Sequence, residues 1–383
     1  MRVLLMKQTA SFISTYSADV FGVCSALFEL GGMIVMHDAS GCNSTYSTHD
    51  EPRWYDMESM VYISGISELE AIMGDDEKLI GDIVRDAAEL KPNFIAVAGT
   101  PIPAMTGFDF AAVAQVIEAR TGIPAFGFAT TGMGSYIKGA GMALEAVTER
   151  FAERGIIKSA KPSANVLGLT PLDFSINGED KSVAKWLSVN GFELNVPLAM
   201  GCSFEDIKKL GAAHVNLVVS AAGLPAAKTL ERLFGTPYVI GLPVAGEYSK
   251  HLASRLAAAA QNGESIPKQG LFNIACRSGV AVIGEGVRSV SLAEAILIGS
   301  GKNAYAVCAA DFEADYMRPQ DLCAPDEDEV IAALRYADTV IADPLYKPII
   351  PEGKRFIALP HEAFSGRIFR SDIPDLVREG FEL

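Results

Sequence analysis

The sequence predicts an α/β protein with three Rossmann-like domains, whose parallel sheets surround a central cavity. Short apolar runs rich in Val, Ile and Ala alternate with amphipathic helical stretches through most of the 383 residues. The runs are apolar on both faces, as in parallel sheets covered by helices. Two polar breaks with Pro or Gly, Lys158–Ala164 and Gln261–Phe272, divide the chain. We therefore expect domains over residues 1–160, 161–272 and 273–383, each of ordinary size.

The strand candidates are spaced so that a helix fits between most neighbours. They are Met33–His37, Val61–Ser64, Phe94–Ala98, Ala125–Ala129, Ala164–Leu169, Leu194–Ala199, Val215–Ser220, Tyr238–Leu242, Gly279–Ile283, Ala304–Cys308, Thr339–Ala342 and Arg355–Leu359. Apolar periodicity predicts helices over Val20–Leu30, Glu77–Leu90, Phe110–Arg120 and Tyr136–Arg150. Asp109 and Ser203 are expected to cap the helices that follow them. If the strand ends face a shared cleft, a site forms where the three units meet.

Composition excludes several classes of partner. The net charge of −15 argues against a nucleic acid or an anionic membrane surface as partner. The sequence contains no apolar run of the roughly 18–20 residues that span a bilayer. Lys7 interrupts the apolar run at the amino terminus, which disfavours a secretory signal. We expect a cytoplasmic protein with no membrane and no nucleic-acid partner.

Cys42 is the strongest candidate for a metal or cluster ligand. A short strand ends at His37, and a loop of small residues then places Cys42 directly after Gly41. Open α/β sheets bind ligands at the carboxyl ends of their strands, and glycine lets the backbone approach closely. The plain alternative is a buried structural cysteine.

Cys24 lies in an apolar helix, where a core position is the ordinary interpretation. The sharper hypothesis pairs it with Cys42. Two such thiolates from each of two subunits would supply the four ligands of a [4Fe-4S] cluster. The six cysteines of the chain contain no CxxC pair, so a zinc site of the usual spacing is not expected.

The remaining candidates follow strands in the second half of the chain. His361 follows the last strand and is suited to bind a metal or donate a proton, or else is a half-buried histidine bonded to backbone. Cys202 follows the strand ending at Ala199 and is expected to face the cleft. Cys276, Cys308 and Cys323 have no organised neighbours in the sequence, and we expect them to be structural.

A glycine-rich turn follows the strand that ends at Ile283. Gly284-Glu-Gly286 before a helix suits a dinucleotide fingerprint, but Ser289 replaces the third glycine. An ordinary tight strand-to-helix turn is the favoured explanation. The sequence has no Walker motif, so we do not expect it to hydrolyse ATP itself.

Several segments, in order, resemble the component 1 family of nitrogenase and nitrogenase-like reductases. His37-Asp-Ala-Ser-Gly-Cys42 is similar to the family's HGxxGC cluster loop, and Ala98–Asp109 is similar to its third cluster loop. The motif LPHEAFSG around His361 is similar to part of its last domain. The short chain is closer to the smaller members, such as nickel-sirohydrochlorin or protochlorophyllide reductase-type subunits, than to true nitrogenase subunits.

The resemblance implies a nitrogenase-like oxidoreductase. An ATP-dependent iron-protein reductase would pass low-potential electrons to a [4Fe-4S] cluster shared at a subunit interface, and then to a substrate in the inter-domain cavity. The chain would form a homodimer or a pseudo-symmetric heterodimer. The resemblance also allows a second metallocofactor or a tetrapyrrole in the cavity.

Departures from the family pattern limit which residues carry over. Thr100 stands where the family has the cysteine of its third loop, and Ser220 stands where molybdenum nitrogenase anchors its cofactor through a cysteine. The family's first cluster cysteine also has no match, since Ser17 and Ala18 stand near its position and Cys24 lies later. The resemblance thus carries over Cys42 as the main cluster ligand, and Cys24 remains the second ligand of the pairing hypothesis. The resemblance places His361 at the substrate, with Cys202 and Ser220 as further cavity residues.

Two other functions fit the same sequence. The cavity of a non-catalytic scaffold or carrier would hold a metallocofactor or tetrapyrrole in transit. A small-molecule binding protein would have kept the fold and lost the cluster. The sequence does not identify the substrate.

Overall fold

The computed structural model describes residues 11–13, 17–41, 43, 46, 51–268, 270 and 277–383. Three sheets form its framework, and all of their strands pair in parallel. The prediction of a parallel α/β fold is therefore confirmed. The predicted strands agree with the observed ones to within two residues at each end.

The first sheet has the strand order β2-β1-β3-β4. Its strands are β1 (Met33–His37), β2 (Met60–Ile63), β3 (Ile95–Gly99) and β4 (Ala125–Phe128). The helices of this unit are α1 (Asp19–Leu27), α2 (Glu68–Met73), α3 (Asp76–Leu90), α4 (Pro101–Thr106), α5 (Phe110–Thr121) and α6 (Tyr136–Phe151). Asp109 caps α5 by accepting from the Ala112 amide, as predicted.

The second sheet has the order β6-β5-β7-β8. Its strands are β5 (Ser163–Leu167), β6 (Glu193–Leu198), β7 (Val215–Val218) and β8 (Tyr238–Ile240). Its helices are α7 (Pro171–Phe174), α8 (Glu179–Val189), α9 (Phe204–Lys208), α10 (Leu224–Phe234) and α11 (Glu247–Asn262). Ser203 and Asp206 form the predicted cap of α9.

The third sheet has the order β11-β10-β9-β12-β13. Its strands are β9 (Gly279–Gly284), β10 (Ala304–Cys308), β11 (Leu322–Cys323), β12 (Ala337–Ala342) and β13 (Arg355–Ala358). Its helices are α12 (Gly286–Ser300), α13 (Glu327–Ala333), α14 (Glu362–Ser365) and α15 (Leu376–Glu379). Strand β11 was not predicted, because two residues are too short to show an alternating or apolar pattern.

The units pack closely against one another. One cluster of buried side chains runs from α1 and α6 of the first unit to β6 and α10 of the second, and another joins the second and third units. Between α1 and α6 the backbones touch. A Cβ on Gly22 would lie 2.0 Å from the Tyr136 carbonyl oxygen, and one on Gly139 would lie 1.8 Å from the Asp19 carbonyl oxygen.

Each sheet falls within one of the expected ranges, and we retain 1–160, 161–272 and 273–383 as proposed domains. Among the described residues, no helix combines the length and apolar character needed to cross a membrane.

Candidate functional site

Strand ends from the second and third sheets meet at a buried polar junction. Asp173 follows β5, Ser220 follows β7, Glu285 follows β9, Asp343 follows β12 and His361 follows β13. All five residues are buried. The junction forms because parallel strands present their carboxyl ends at one edge of each sheet.

Asp173 is the central acceptor of this junction. Its carboxylate accepts from the Tyr136 hydroxyl at 2.5 Å, the Ser220 hydroxyl at 2.5 Å and the Thr170 hydroxyl at 3.1 Å. Tyr136 belongs to α6, so the first unit also contributes to the junction. Burial, with nearby Asp173 and Glu285, raises the pKa of Tyr136 well above its usual value. The tyrosine therefore remains a proton donor.

His361 lies beside Asp173 with its ring enclosed. The residue is 5% exposed, and its Nε2 is 3.5 Å from Asp173 Oδ1. Within the described part of the chain, neither ring nitrogen makes a hydrogen bond. Only the backbone of His361 is held by a hydrogen bond here, because its amide donates to Asp343 Oδ2 at 2.8 Å. The ring is therefore not bonded to backbone, and it is free to act on a ligand.

Glu285 closes the junction from the third unit. Its carboxylate accepts from the amides of Val287 and Arg288 at the start of α12, and from the amide of Ala221 in the second unit. Burial, with the nearby charge of Asp173, raises the pKa of Glu285 to about 7. A nucleotide phosphate would have to bind the same amides at the start of α12 that already donate to the Glu285 carboxylate. The glycine-rich turn is thus an ordinary strand-to-helix turn.

Arg288 adds a positive charge to the same region. Its Nη1 donates to Glu179 Oε2 at 2.7 Å, and both side chains are nearly fully buried. Its Nε has no hydrogen-bond partner among the described residues. A buried donor of this kind is costly unless a ligand or water pairs with it.

A small cavity opens between these side chains. It is lined in part by Ile283, Glu285, Arg288, Ser289, His361 and Phe364. Its volume is about 10 Å³, which is room for roughly one water-sized group. In this conformation the cavity therefore admits a small polar group and not a tetrapyrrole.

The strand ends of the first sheet form a second, different region. His37 Nδ1 lies 2.8 Å from the Ser64 hydroxyl, and the Thr100 hydroxyl donates to Asp38 Oδ1 at 3.0 Å. Burial lowers the pKa of His37 to about 4, so the ring is neutral near pH 7. These contacts tie β1, β2 and β3 together just before the loop that contains Cys42. Cys42 itself lies outside the described residues.

A buried ion network holds the chain after that loop. Arg53 Nε donates to Glu51 at 2.7 Å, and its Nη1 donates to Glu29 at 2.8 Å. Burial opposes the charge of Arg53, but the adjacent Glu51 and Glu29 outweigh it and raise its pKa. Glu51 also accepts from the hydroxyls of Ser25 and Tyr46. The network thus fixes both flanks of residues 47–50 to α1.

Exposed apolar side chains surround this edge of the first sheet. They lie on α2, on α4 and in the loop after β4, which all follow strand ends. These side chains are Leu69, Ile72, Met73, Met105 and Met133, with exposed fractions of 69–86%. We call this set the apolar face. Contiguous exposed apolar surface is typical of a protein interface, which makes this set of exposed side chains a candidate for one.

The described cysteines do not line the cavity. Cys24 is fully buried in α1, and burial raises the pKa of its thiol. Cys202 is 3% exposed in the same apolar cluster, and burial raises its pKa to about 12. Neither setting favours the thiolate that a metal requires. The structure therefore places Cys202 in packed core rather than at the cleft.

Cys308 and Cys323 do have organised neighbours, contrary to expectation. They are register partners at the ends of β10 and β11. This pair was not predicted from the sequence, because β11 itself was not. Cys276 lies outside the described residues.

Several junction residues were likewise not singled out from the sequence. Asp173, Thr170 and Tyr136 lie in segments that were assigned only as strand ends or helix. The one available signal was a polar group directly after β5, in the segment Thr170-Pro-Leu-Asp173. His361 and Ser220 were predicted as site residues, and the structure brings both to Asp173.

The fold and the junction define a class of protein in which three parallel α/β units enclose a buried polar site. Residues 19–270 match the family described as nitrogenase component 1 type oxidoreductase, which is more than half of the chain. The chain therefore belongs to this family.

Two curated relatives illustrate the match. A light-independent protochlorophyllide reductase chain of Nostoc punctiforme is 31% identical over 179 residues, 43% of this chain and 34% of that protein. Nitrogenase iron-molybdenum cofactor biosynthesis protein NifE of Clostridium pasteurianum is 27% identical over 213 residues, 55% of this chain and 46% of that protein. The matches thus span about a third to a half of these relatives' length.

Solved structures agree on the fold. The structure titled "Nitrogenase Cp1 at pH 6.5" superposes with a TM-score of 0.64 and 16% identity, over 99% of this chain and 98% of that one. "Nitrogenase Cp1 at pH 5" gives a TM-score of 0.65 and 18% identity, over 98% and 88%. At this identity the likeness concerns the fold alone.

Proposed function

We propose that this chain is a subunit of a component 1-type oxidoreductase that reduces a small polar substrate at the three-unit junction. The observation that carries the proposal is His361, whose buried ring nitrogens lack partners in the described part of the chain and border the cavity. Buried polar atoms without a hydrogen-bond partner are rare, and a bound ligand would supply the partner that these ring nitrogens lack. Low-potential reduction of an unsaturated bond, or of a metal-bound small molecule, consumes protons that such a histidine can supply.

Each residue around His361 has a separate role in the proposed reaction. His361 holds the proton at Nε2 or Nδ1 and gives it to the substrate, while the Asp173 carboxylate, 3.5 Å from Nε2, orients the ring. Tyr136, Ser220 and Thr170 hold the Asp173 carboxylate in place. Arg288 Nε is available to orient an acceptor atom of the substrate. Ser220 is occupied by Asp173, so it acts on the carboxylate rather than on the substrate.

The apolar face supports pairing with a second subunit, either another copy or a homologous chain. It surrounds the position at which the Cys42 loop leaves the sheet. Electrons would enter at this face from an ATP-dependent iron-protein reductase. The small size of the junction cavity favours this enzyme over a carrier of tetrapyrroles.

A [4Fe-4S] cluster at this face would supply the electron relay when bound, but the described residues do not fit it by themselves. Among them, no group of three or more His, Cys, Asp or Glu side chains is arranged to hold a metal ion. Cys24, the proposed second ligand, is packed in core. Cys42 lies outside the described residues and remains the one proposed cluster ligand.

Iron content tests the cluster with a matched pair of cysteine variants. Protein purified without oxygen is analysed for iron and acid-labile sulfide, as wild type, Cys42→Ala and Cys24→Ala. We expect about four iron atoms per pair of chains in the wild type. Cys42→Ala is expected to lose them, and Cys24→Ala to keep them. Iron retained in Cys42→Ala would exclude Cys42 as an essential ligand, whereas iron lost from a folded Cys24→Ala would restore the two-cysteine hypothesis.

Electron transfer tests the enzyme against the carrier. The loaded protein is mixed with an iron-protein reductase and ATP, and cluster reduction is followed by its absorbance. Single turnover that depends on His361, and fails in His361→Gln while cluster reduction continues, supports the proposed role. Equal turnover in both proteins contradicts it.

The apolar face is tested by the oligomeric state. We expect Leu69→Asp with Met73→Asp to convert the pair of chains to single chains in analytical ultracentrifugation, because both side chains are already exposed and folding does not need them. Ile157→Asp, at an equally exposed residue in the loop after α6, is the control. A pair that survives the double substitution would place the interface elsewhere.

A further inference from the structure

Three sulfur-containing side chains meet at one edge of the third sheet. Cys308 ends β10, Cys323 ends β11, and Met317 lies in the connection between them. Cys308 and Cys323 are register partners in parallel strands, so their side chains point to the same face of the sheet. This cluster lies outside the lining of the cavity at His361.

The contacts bring the sulfur atoms together. Cys323 Sγ lies 3.6 Å from Met317 Sδ. Cys308 and Met317 belong to one small cluster of buried side chains, with Val290 and Ala306. Cys308 is 0% exposed and Met317 is 5% exposed, whereas Cys323 reaches solvent. Cys308 and Met317 are thus buried, with Cys323 beside them at the surface; we call these three residues the sulfur cluster.

Several acidic side chains lie near the sulfur cluster. Cys323 donates its S–H to the Phe312 carbonyl oxygen at 3.1 Å. Burial raises the pKa of Cys323, and Asp311 raises it further. Burial also raises the pKa of Cys308, and Cys323, Asp321 and Glu285 add to the effect. Both thiols are therefore protonated when the site is empty, and a cation that binds has to displace their protons. The acidic side chains favour such a cation, and the nearby Arg318 opposes it.

We propose that Cys308, Cys323 and Met317 form a binding site for a thiophilic monovalent ion, Cu(I). Two thiolates and a thioether are soft ligands, which select Cu(I) over the hard divalent cations. A structural zinc site needs four N, S or O ligands, and a thioether is not among those it ordinarily uses. Two sulfurs are buried in advance, so only the exposed Cys323 has to adjust when the ion enters.

Competition with a chromophoric chelator tests the site. The reduced wild-type chain, kept free of oxygen, is titrated with Cu(I) bound to bicinchoninate, and copper transfer is read from the visible absorbance. We expect one Cu(I) per chain to be withdrawn. Cys323→Ser, at an exposed position, removes a thiolate ligand and should weaken binding at least about 100-fold, beyond the roughly 10–100-fold effect of outer-shell changes. Met317→Leu removes the weaker, neutral thioether ligand and should weaken binding about tenfold.

Cys202→Ser is the matched control, since this thiol is buried in a different cluster. It should bind copper as the wild type does. X-ray absorption of the loaded protein should show sulfur-only coordination. Copper that stays with the chelator, equal weakening in Cys323→Ser and Cys202→Ser, or nitrogen in the coordination shell would overturn the proposal.

Discussion

The carboxyl ends of the strands serve opposite purposes in the first sheet and in the other two. In the first sheet they lead to exposed apolar side chains such as Leu69 and Met105. In the second and third sheets they bring together buried polar groups, with Asp173, Glu285 and His361 at the centre. The same architecture thus forms a surface suited to another protein at one edge and an enclosed polar cavity at the others.

Whether a strand end forms a buried site or an exposed surface depends on which elements pack over it. The buried junction exists because units two and three close on each other and α6 of the first unit covers them. The first sheet's edge has no such cover among the described residues, so its helices α2 and α4 keep their apolar side chains in solvent. In the proposed dimer a second subunit would bury them, whereas the described junction residues all belong to this chain.

The largest effect that separates the two regions is expected for Asp173→Ala. The substitution leaves the hydroxyls of Tyr136, Ser220 and Thr170 without their acceptor. At about 1–3 kcal/mol for each buried unpaired donor, the free energy of unfolding should fall by about 5 kcal/mol. Urea denaturation measures it. Asp315→Ala, at an exposed position, should change stability by less than about 0.5 kcal/mol. Equal costs for both variants would mean that Asp173 does not hold the junction.

Arg53→Ala tests the rigid part of the first region. The substitution leaves the buried Glu51 without its counterion, which should cost about 3 kcal/mol. Arg85→Ala breaks only exposed pairs with Asp82 and Asp86, which water and salt screen, and should cost much less. Thermal unfolding at matched pH compares the two variants. If Arg53→Ala is as mild as Arg85→Ala, the network does not fix the loop flanks.

Glu285 makes the junction sensitive to rising pH. Its folded pKa of about 7 lies above the ordinary 4.5, so the folded state holds a proton that the unfolded state releases. Stability should therefore fall as pH rises from 4.5 to about 7, by roughly 3 kcal/mol from this group. Glu285→Ala should consequently cost less at pH 8 than at pH 5. A cost that does not change with pH, as expected for exposed Glu352→Ala, would contradict the shift.

His37 gives the first region the opposite pH dependence. Burial lowers its pKa from 6.5 to about 4, so the unfolded state takes up a proton before the folded state does. Stability from this group should be lost as pH falls from 6.5 to about 4. His37→Gln should flatten that part of the pH profile of unfolding, whereas His251→Gln, at an exposed position, should leave it as in the wild type. An unchanged profile in His37→Gln would exclude this residue as the cause.

The fold was largely predictable, because continuous apolar runs such as Val215–Val218 and Ala304–Cys308 identify buried parallel strands by themselves. β11 was not predictable, since its two residues are positioned by pairing with β10 and not by their own pattern. Within the candidate site, the positions of His361 and Ser220 were predictable, because each residue stands just after a strand. Asp173 and Tyr136 meet only through tertiary packing, and nothing in their local sequence shows it.

The contact between Gly22 and the Tyr136 carbonyl has a consequence for communication between the two regions. The backbone of α1 rests on the residue whose hydroxyl holds Asp173, with no deformable side chain in between. In the proposed dimer, a shift of α1 on subunit pairing would be passed through Tyr136 and Asp173 to His361, the proposed proton donor. Binding of a partner at the apolar face would then change the position of the histidine ring.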